Sequence, residues 1–245
     1  MKVLSVICAR AGSKGLENKC IARVKDKMAV EYSIEYSLSL GRNVKTVVST
    51  DIADVIDYCR KNSVDYIKRG KRLCDDKIRI YPVLADAIEK KGKGYKYCSL
   101  VYGNIPIRHR EIFQKAFRFL EGHKDYNAVI SMQNVEKFHP EWMLDYNEKI
   151  LPRLKESHYR RQALPQKMIH DGHTVIFRAR EFCERIKGNV PYEEGYTFSI
   201  FGGKIKPLVH DKLVIDIDTA KDLELAKAVI ENSAKIDNRS GAPAR

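Results

Sequence analysis

Apolar and polar positions along this chain follow two periods that take turns. Val3-Leu4-Ser5-Val6-Ile7 is an apolar run of strand length, and residues 27–40 then place apolar side chains at helical spacing. A β-branched run over 45–49 predicts a second strand. Ile52, Val55, Ile56 and Cys59 follow at i, i+3, i+4 and i+7 on a helix face, with Asp51 placed as its N-cap. Residues 64–67 predict a short strand before a basic loop. Pro82 suits the first turn of a helix whose inner face is Val83, Leu84, Ala87 and Ile88. Strands are predicted at 97–102 and 128–132, on either side of a helix at 111–121. Such repetition with short connections predicts an α/β fold, a mostly parallel sheet with right-handed crossovers and helices on both faces.

The rhythm breaks between residues 134 and 166. Trp142, the single tryptophan, lies there with Phe138, Met143, Leu144, Ile150 and Leu154. An apolar cluster outside the main sheet either packs back onto the domain or meets a partner, and large aromatic and Met side chains favour a homodimer interface. The sheet resumes at 174–177 and closes with a strand at 213–217. A last helix at 220–230 carries Leu223, Ala226 and Ile230 on one side. The pattern gives one domain over 1–233 with an insertion at 134–166, and a disordered polar tail over 234–245.

The first strand runs into Cys8-Ala9-Arg10-Ala11-Gly12-Ser13-Lys14-Gly15-Leu16-Glu17-Asn18-Lys19. Gly12 and Gly15 permit positive φ, so successive N–H groups from Ala11 to Lys14 can converge on an anion, with the Ser13 hydroxyl beside them. Arg10, Lys14 and Lys19 add charge around that nest. Neither the Walker spacing nor the Gly-x-Gly-x-x-Gly dinucleotide fingerprint is present. An ordinary turn with solvated lysines has the same composition, but ligands of open α/β sheets bind beyond the carboxyl ends of strands, where this loop lies.

Arg-x-Gly-Ser-Lys-Gly-Leu-x-x-Lys after an N-terminal strand resembles the nucleotide-binding signature of the acylneuraminate cytidylyltransferases. Val47-Val48-Ser49-Thr50-Asp51, Leu73-Cys74-Asp75-Asp76, Pro106-Ile107-Arg108, Phe138-His139-Pro140, Arg161-Gln162-Ala163-Leu164-Pro165-Gln166 and Ile215-Asp216-Ile217-Asp218-Thr219 resemble further segments of that family in order. The resemblance spans about residues 2–230. It implies a Rossmann-like nucleotide-diphospho-sugar transferase fold with an inserted dimerisation subdomain. It also implies transfer of CMP from CTP to the anomeric hydroxyl of a nonulosonic acid, with Mg²⁺ as cofactor.

By that resemblance Arg10 and Lys19 neutralise the triphosphate, and Ala11, Gly12, Ser13 and Lys14 cradle it. Cys20 stands where the family has Asn. Tyr102 and Asn104 occupy the nucleoside segment, Tyr102 in place of a Gln, which looks more like the pseudaminic acid branch. Gln162, Gln166 and Asp171 fall where the family contacts the sugar, and Lys167 or Arg161 is a candidate for its carboxylate. Asp216 and Asp218 match the metal-binding Asp-x-Asp. In a strand both carboxylates share a face, and Mg²⁺ takes hard oxygen ligands. Asp218 equally fits the N-cap of the last helix. No ligand spacing marks His139, His158, His170 or His173 as a metal site, so each reads as core or surface. The loop 192–196 is a candidate wall of the sugar pocket. A same-fold nucleotidyltransferase with another base or acceptor, and a non-catalytic nucleotide- or sugar-binding regulator, remain as alternatives.

Composition changes this picture little. Across 245 residues the net charge is +13. Lysines and arginines are spread evenly, without a basic helix, which suits a cleft for anionic substrates and argues against nucleic-acid binding. Six cysteines show no Cys-x-x-Cys pair, as expected of reduced thiols in a cytoplasmic protein. No signal segment and no apolar run of membrane-spanning length is apparent, so no membrane association is expected.

Overall fold

The structure is a computed structural model that describes residues 2–12, 15–75, 77–143, 145–147, 149–151, 160–188 and 198–240. Among these, seven strands form the main sheet: β1 (Val3–Ala9), β4 (Val44–Thr50), β5 (Asp65–Lys68), β6 (Tyr97–Tyr102), β7 (Ala128–Asn134), β10 (Met168–Arg178) and β11 (Ile205–Val209). Their order is β11-β7-β10-β6-β1-β4-β5. β10 alone runs antiparallel to its neighbours, β6 and β7. Two short hairpins stand apart, β2 (Arg23–Val24) with β3 (Lys27–Met28), and β8 (Asp145–Asn147) with β9 (Lys149–Leu151) in the insertion.

All seven residues of β1 are buried, as a central strand covered on both faces requires. Leu4, Val6 and Cys8 face a core shared with α3 (Ile80–Lys91) and α5 (Ala179–Lys187), including Leu84, Phe182 and the Ile200–Phe201 turn. Ile7 and Ala9 face α1 (Ala29–Ser39) and α2 (Ala53–Lys61) on the other side. Val3 joins the apolar face of α4 (Arg110–Gly122) there. A fourth cluster lies off the sheet. In it Ile215, Ile217 and Ala226, the last from α6 (Ala220–Ser240), pack on Val24, Ala29 and the loop residue Leu16.

Several expectations are corrected. Residues 213–217 keep the in–out alternation of a strand, with Ile215 and Ile217 buried and Asp216 and Asp218 open, but form no ladder. Their regular backbone pairing is limited to Ile217 N–H donating to Asn104 O at 3.0 Å. The closing edge strand is instead β11, masked in the sequence by Pro207 and two lysines, which an edge tolerates. The last helix continues to Ser240, beyond the predicted start of the tail; residues 241–245 lie outside the described ones. Asp51 does not cap α2, whose N-cap is Ile52, with Thr50 Oγ1 accepting from Ile52 N at 3.1 Å. α5 was not anticipated, and β10 begins six residues before the predicted strand.

α1 carries the chain from the first loop back across the sheet, and a buried hydroxyl cluster pins it there. Ser37 Oγ donates to Ser5 Oγ at 2.7 Å and lies 2.8 Å from Thr46 Oγ1, joining α1 to β1 and β4. Ser37→Ala strands two buried hydroxyls and is expected to lower unfolding free energy by about 1–3 kcal/mol in urea melts. A loss below the error of the melt would show that the hydroxyls repair themselves locally.

Candidate active site

Connections from β1 to β4 to β5 move across the sheet in one direction, and the next returns past β1 to β6. The carboxyl ends of β1 and β6 therefore flank the topological switch point, where ligands of such sheets bind. A crevice of about 230 Å³ opens there, between Cys8, Arg10, Lys19, Cys20, Arg69, Tyr102 and Asn104. The sequence-predicted residues Arg10, Lys19, Cys20, Tyr102 and Asn104 thus meet at one place. Ser13, Lys14 and the 192–196 loop lie outside the described residues, as does His158.

The two loop glycines have different reasons. Gly12 takes φ +69°, the left-handed region. Gly15 does not; a Cβ there would lie 2.5 Å from the Asp218 carbonyl oxygen, so close approach, not φ, requires glycine. Ala11 was placed in the anion cradle, yet its N–H donates to Asp51 Oδ1 at 3.0 Å. In this conformation Asp51 holds the loop, and Ala11 N–H is not free to meet an anion.

The segment before α6 closes the crevice. Thr219 and Asp222 form the helix cap: Asp222 Oδ2 accepts from Thr219 N at 2.7 Å and from Asp218 N at 3.1 Å, while Thr219 Oγ1 accepts from Asp222 N at 3.3 Å. The Asp218 side chain is therefore not the cap, and its carboxylate pairs with Lys19 Nζ. Asn104 Nδ2 donates to Asp216 Oδ1 and, at 3.2 Å, to Ile217 O. Asp216 keeps a solvent-reaching face but is crowded by protein atoms. That desolvation, and then the like charge of Asp218, push its carboxyl up to about 6. Lys19 and Arg108 oppose the shift.

Arg69 gave no motif in the sequence. It is 6 % exposed, donates through Nε to Ser49 Oγ at 3.0 Å and through Nη2 to Ser49 O at 2.9 Å, and still borders the crevice. Burial pushes the Cys8 and Cys20 thiols up to about 11, so both line it as neutral groups. The six cysteines are all free.

A second crevice of about 410 Å³ shares the Tyr102 wall and reaches Asp216 from the other side, lined also by Gln133, His170, Asp171 and Gly172. Asp171 is engaged: Ser131 Oγ donates to its Oδ1, His173 N–H does so at 3.0 Å, and His210 Nε2 lies 2.5 Å from its Oδ2. Gln162 and Gln166 are not part of this crevice. Both are exposed, and Gln166 Nε2 donates to Asn134 Oδ1 at 3.0 Å beside a separate hollow of about 280 Å³ that also includes Lys167. His139 and His173 are buried, as expected of core residues. His173 Nε2 accepts from His109 N–H at 2.7 Å, so Nδ1 carries the proton and donates to Thr174 Oγ1 at 2.7 Å. Burial first, then the neighbouring Arg108, push its pKa down to about 2, and the ring is neutral.

Among the described residues, no group of three or more His, Cys, Asp or Glu stands ready to ligate a metal, and no helix is long and apolar enough to cross a membrane. Two carboxylates beside a cationic loop at the switch point suit a phosphate-bearing ligand.

Comparison with known proteins agrees. Residues 4–236 match the family model described as cytidylyltransferase, and the chain belongs to that family of nucleotidyltransferases. It is 26 % identical over 233 residues to the pseudaminic acid cytidylyltransferase of Campylobacter jejuni subsp. jejuni serotype O:2, covering 93 % of this chain and 95 % of that one. The N-acylneuraminate cytidylyltransferase of Escherichia coli O18:K1:H7 is 26 % identical over 243 residues, 96 % of this chain and 54 % of the relative. The solved structure of CMP:2-keto-3-deoxy-manno-octonic acid synthetase complexed with CTP superposes with TM-score 0.72 at 15 % identity, covering 95 % of this chain and all of that one. 4-Diphosphocytidyl-2C-methyl-D-erythritol synthase from Anaerococcus prevotii gives TM-score 0.64 at 14 % identity, covering 94 % and 96 %. The fold is the Rossmann-like one of nucleotidyltransferases.

The raised Asp216 pKa has a signed consequence. Its folded value of about 6 exceeds the unfolded value, so ionisation above that pH weakens the fold. Asp216→Asn keeps the Oδ1 acceptor for Asn104 and is expected to raise the metal-free melting temperature at pH 7. The gain should shrink as pH falls from about 6 to about 4, where wild-type Asp216 is protonated too. A pH-independent difference would assign the effect to packing instead.

Proposed function

We propose that this cytidylyltransferase transfers CMP from CTP to the anomeric hydroxyl of a nonulosonic acid of the sialic or pseudaminic type, releasing pyrophosphate. The supporting observation is that two crevices meet at the Asn104–Asp216 contact, one rimmed by the cationic loop and one by polar groups of β7 and β10. The named relatives support the base and the acid.

In this reading CTP occupies the switch-point crevice. The Arg69 guanidinium, held by Ser49, offers a fixed donor to the pyrimidine edge between the apolar walls of Cys8, Cys20, Ile80 and Tyr102. Arg10 and Lys19 offset the triphosphate charge, and Gly12, Ser13 and Lys14 complete the loop. Lys19 is available for this because its pair with Asp218 is partly solvated, an interaction of about 0–1 kcal/mol that phosphate readily displaces. The acceptor lies against Tyr102, Gln133 and His170, its hydroxyl facing the α-phosphorus in line with the leaving pyrophosphate.

Asp216 and Asp218 fit a divalent cation: both are hard oxygen donors on one side of an extended segment, and their mutual repulsion is what a cation relieves. Mg²⁺ bound there supplies Lewis-acid polarisation of the phosphate and lowers the pKa of the acceptor hydroxyl. Asn104 orients Asp216 throughout. A homodimer through 134–166 is supported by exposed Phe138 and Met143, at 67 and 53 %. CTP as substrate supports a cytoplasmic setting.

Pyrophosphate release with Mg²⁺, assayed with CTP, UTP, ATP and GTP against a panel of ulosonic acids, is expected to require CTP and one nonulosonic acid. Preference for another nucleotide, or for an octulosonic acid alone, would overturn the base or the acceptor, and CTP binding without any turnover would indicate a regulator. Lys19→Ala is expected to lower turnover by about 10²–10³; near-normal turnover would remove it from the reaction. Light scattering is expected to give a mass twice that of the chain, and a monomer would refute the interface.

A further inference from the structure

His210 lies outside every motif of the sequence, yet three strand ends bring it to the acceptor crevice. β11 pairs in parallel with β7, with Val209 opposite Met132, and His210 N–H donates to Met132 O at 3.1 Å. Met132 in turn pairs with His170 on β10. The β7–β10 ladder then breaks: between His170 and Val175, five steps on β10 oppose two on β7, from Met132 to Ile130. Gly172 sits in this bulge at φ +71°, where a Cβ would lie 2.7 Å from Ile105 Cδ1 and 3.9 Å from Asp216 Oδ2. The bulge therefore forms the part of the crevice that faces Asp216.

Asp171 ties the bulge together from inside. Oδ1 takes Ser131 Oγ from β7 and His173 N–H from β10. Oδ2 is buried and lies 2.5 Å from His210 Nε2, itself buried, in an ion-pair contact without hydrogen-bond geometry; neither atom has a hydrogen-bond partner among the described residues. The two side chains are 4 % and 9 % exposed. His210 Nδ1 accepts from Lys212 N–H at 3.2 Å, which places the ring proton on Nε2, toward the carboxylate. Without His210 the buried Oδ2 would lose the one polar group beside it, and the bulge would lose its side-chain link to β11.

We propose that His210 is a positioning residue of the acceptor site, acting through Asp171 to hold the Gly172 bulge against Asp216. This rests on the reading of the second crevice as the acceptor's, and it gives Asp171, expected to bind sugar, a role within the protein: Oδ1 accepts from Ser131 and His173, and Oδ2 is buried beside His210. A ligand-facing role remains for the groups the bulge presents, the His170 ring and the backbone at Gly172.

Exchange of the two partners distinguishes this from general packing. His210→Gln offers an amide N–H to Asp171, whereas His210→Ala offers none. Asp171→Asn keeps the shape but sets an amide donor against Nε2–H. If the ring changes tautomer, Nδ1–H then faces Lys212 N–H, so one donor–donor conflict persists either way.

The experiment is steady-state kinetics of these three variants and the Asp171→Asn/His210→Ala double variant, varying CTP and the acceptor separately, with amide hydrogen exchange on each protein. His210→Ala is expected to raise acceptor KM by about ten- to a hundredfold while CTP KM stays within about twofold. His210→Gln should recover most of the loss, and the double variant should be no worse than the worse single. Exchange should quicken over residues 170–174 in His210→Ala but not around residues 9–12. Equal changes in both KM values, no recovery by Gln, or unaltered exchange at 170–174 would overturn the proposal. A wild type that accepts no nonulosonic acid refutes the functional reading separately, and the exchange comparison still decides the role of His210. Should His210→Ala fail to fold, Asp171→Asn against His210→Gln carries the same comparison, and a normal acceptor KM in Asp171→Asn would overturn it.

Discussion

Residues 215–218 are docked between the first loop and the end of β6, and the geometry of the candidate site depends on that docking. Ile215 and Ile217 are driven into a small core with Leu16, Val24, Ala29 and Ala226. Burying two such side chains contributes about 1.5–3 kcal/mol each, whereas the partly exposed Lys19–Asp218 pair contributes at most about 1. Apolar contact therefore holds the segment, and the charged pair is a consequence of where it lies. The Ile217–Asn104 backbone bond sets its register, and Gly15 permits the loop to touch the Asp218 carbonyl. Charges positioned by neighbouring apolar burial remain free to exchange partners when a ligand arrives.

The sheet divides the labour along its strand order. On the parallel side, β1, β4, β5 and β6 end together, and Arg10 and Lys19 after β1 with Arg69 after β5 form a cationic rim, a geometry suited to a triphosphate. On the other side β10 runs against its neighbours, so its beginning, not its end, reaches the same edge. An antiparallel strand with a bulge there presents a backbone turn and side chains such as His170, without a helix N-terminus or a nest of amides. That surface suits a hydroxyl-rich partner better than a triphosphate. One reversal of strand direction thus separates two kinds of recognition across a few ångströms.

What the sequence revealed is what lies local in it. The glycine loop, the apolar run of β1 and the Ile215-Asp216-Ile217-Asp218 pattern are each contiguous, and the described residues of the loop and of the pattern meet through the Lys19–Asp218 pair, even though 213–217 have no ladder. Asp51 was misplaced because a helix N-cap and a tertiary acceptor for Ala11 N–H have the same local sequence. Gln162 and Gln166 carried a motif but not a position, since the insertion's geometry is not encoded by period. Arg69 and His210 were invisible for the converse reason. Strand register alone carries them to the site, one beside Ser49 on β4 and the other beside Met132 on β7.

The proposed reaction needs the two crevices held in a fixed relation, and Arg108 ties their walls together. Its Nη2 donates to Tyr102 O at 2.8 Å, its Nε to Ile105 O at 3.2 Å and its Nη1 to His173 O, so one planar fork joins the nucleotide wall to the β10 bulge. Burial pulls its pKa down to about 10, yet it stays charged at neutral pH, aided by Tyr36, Asp216 and Asp171 nearby. That cation lies near Asp171 and Asp216, the two carboxylates of the second crevice, and offsets part of their charge. A lysine has the charge but not the fork, and a neutral amide has donors but not the charge. Only guanidinium meets both demands, so the relation between the two crevices is set by one residue that binds three backbone carbonyls.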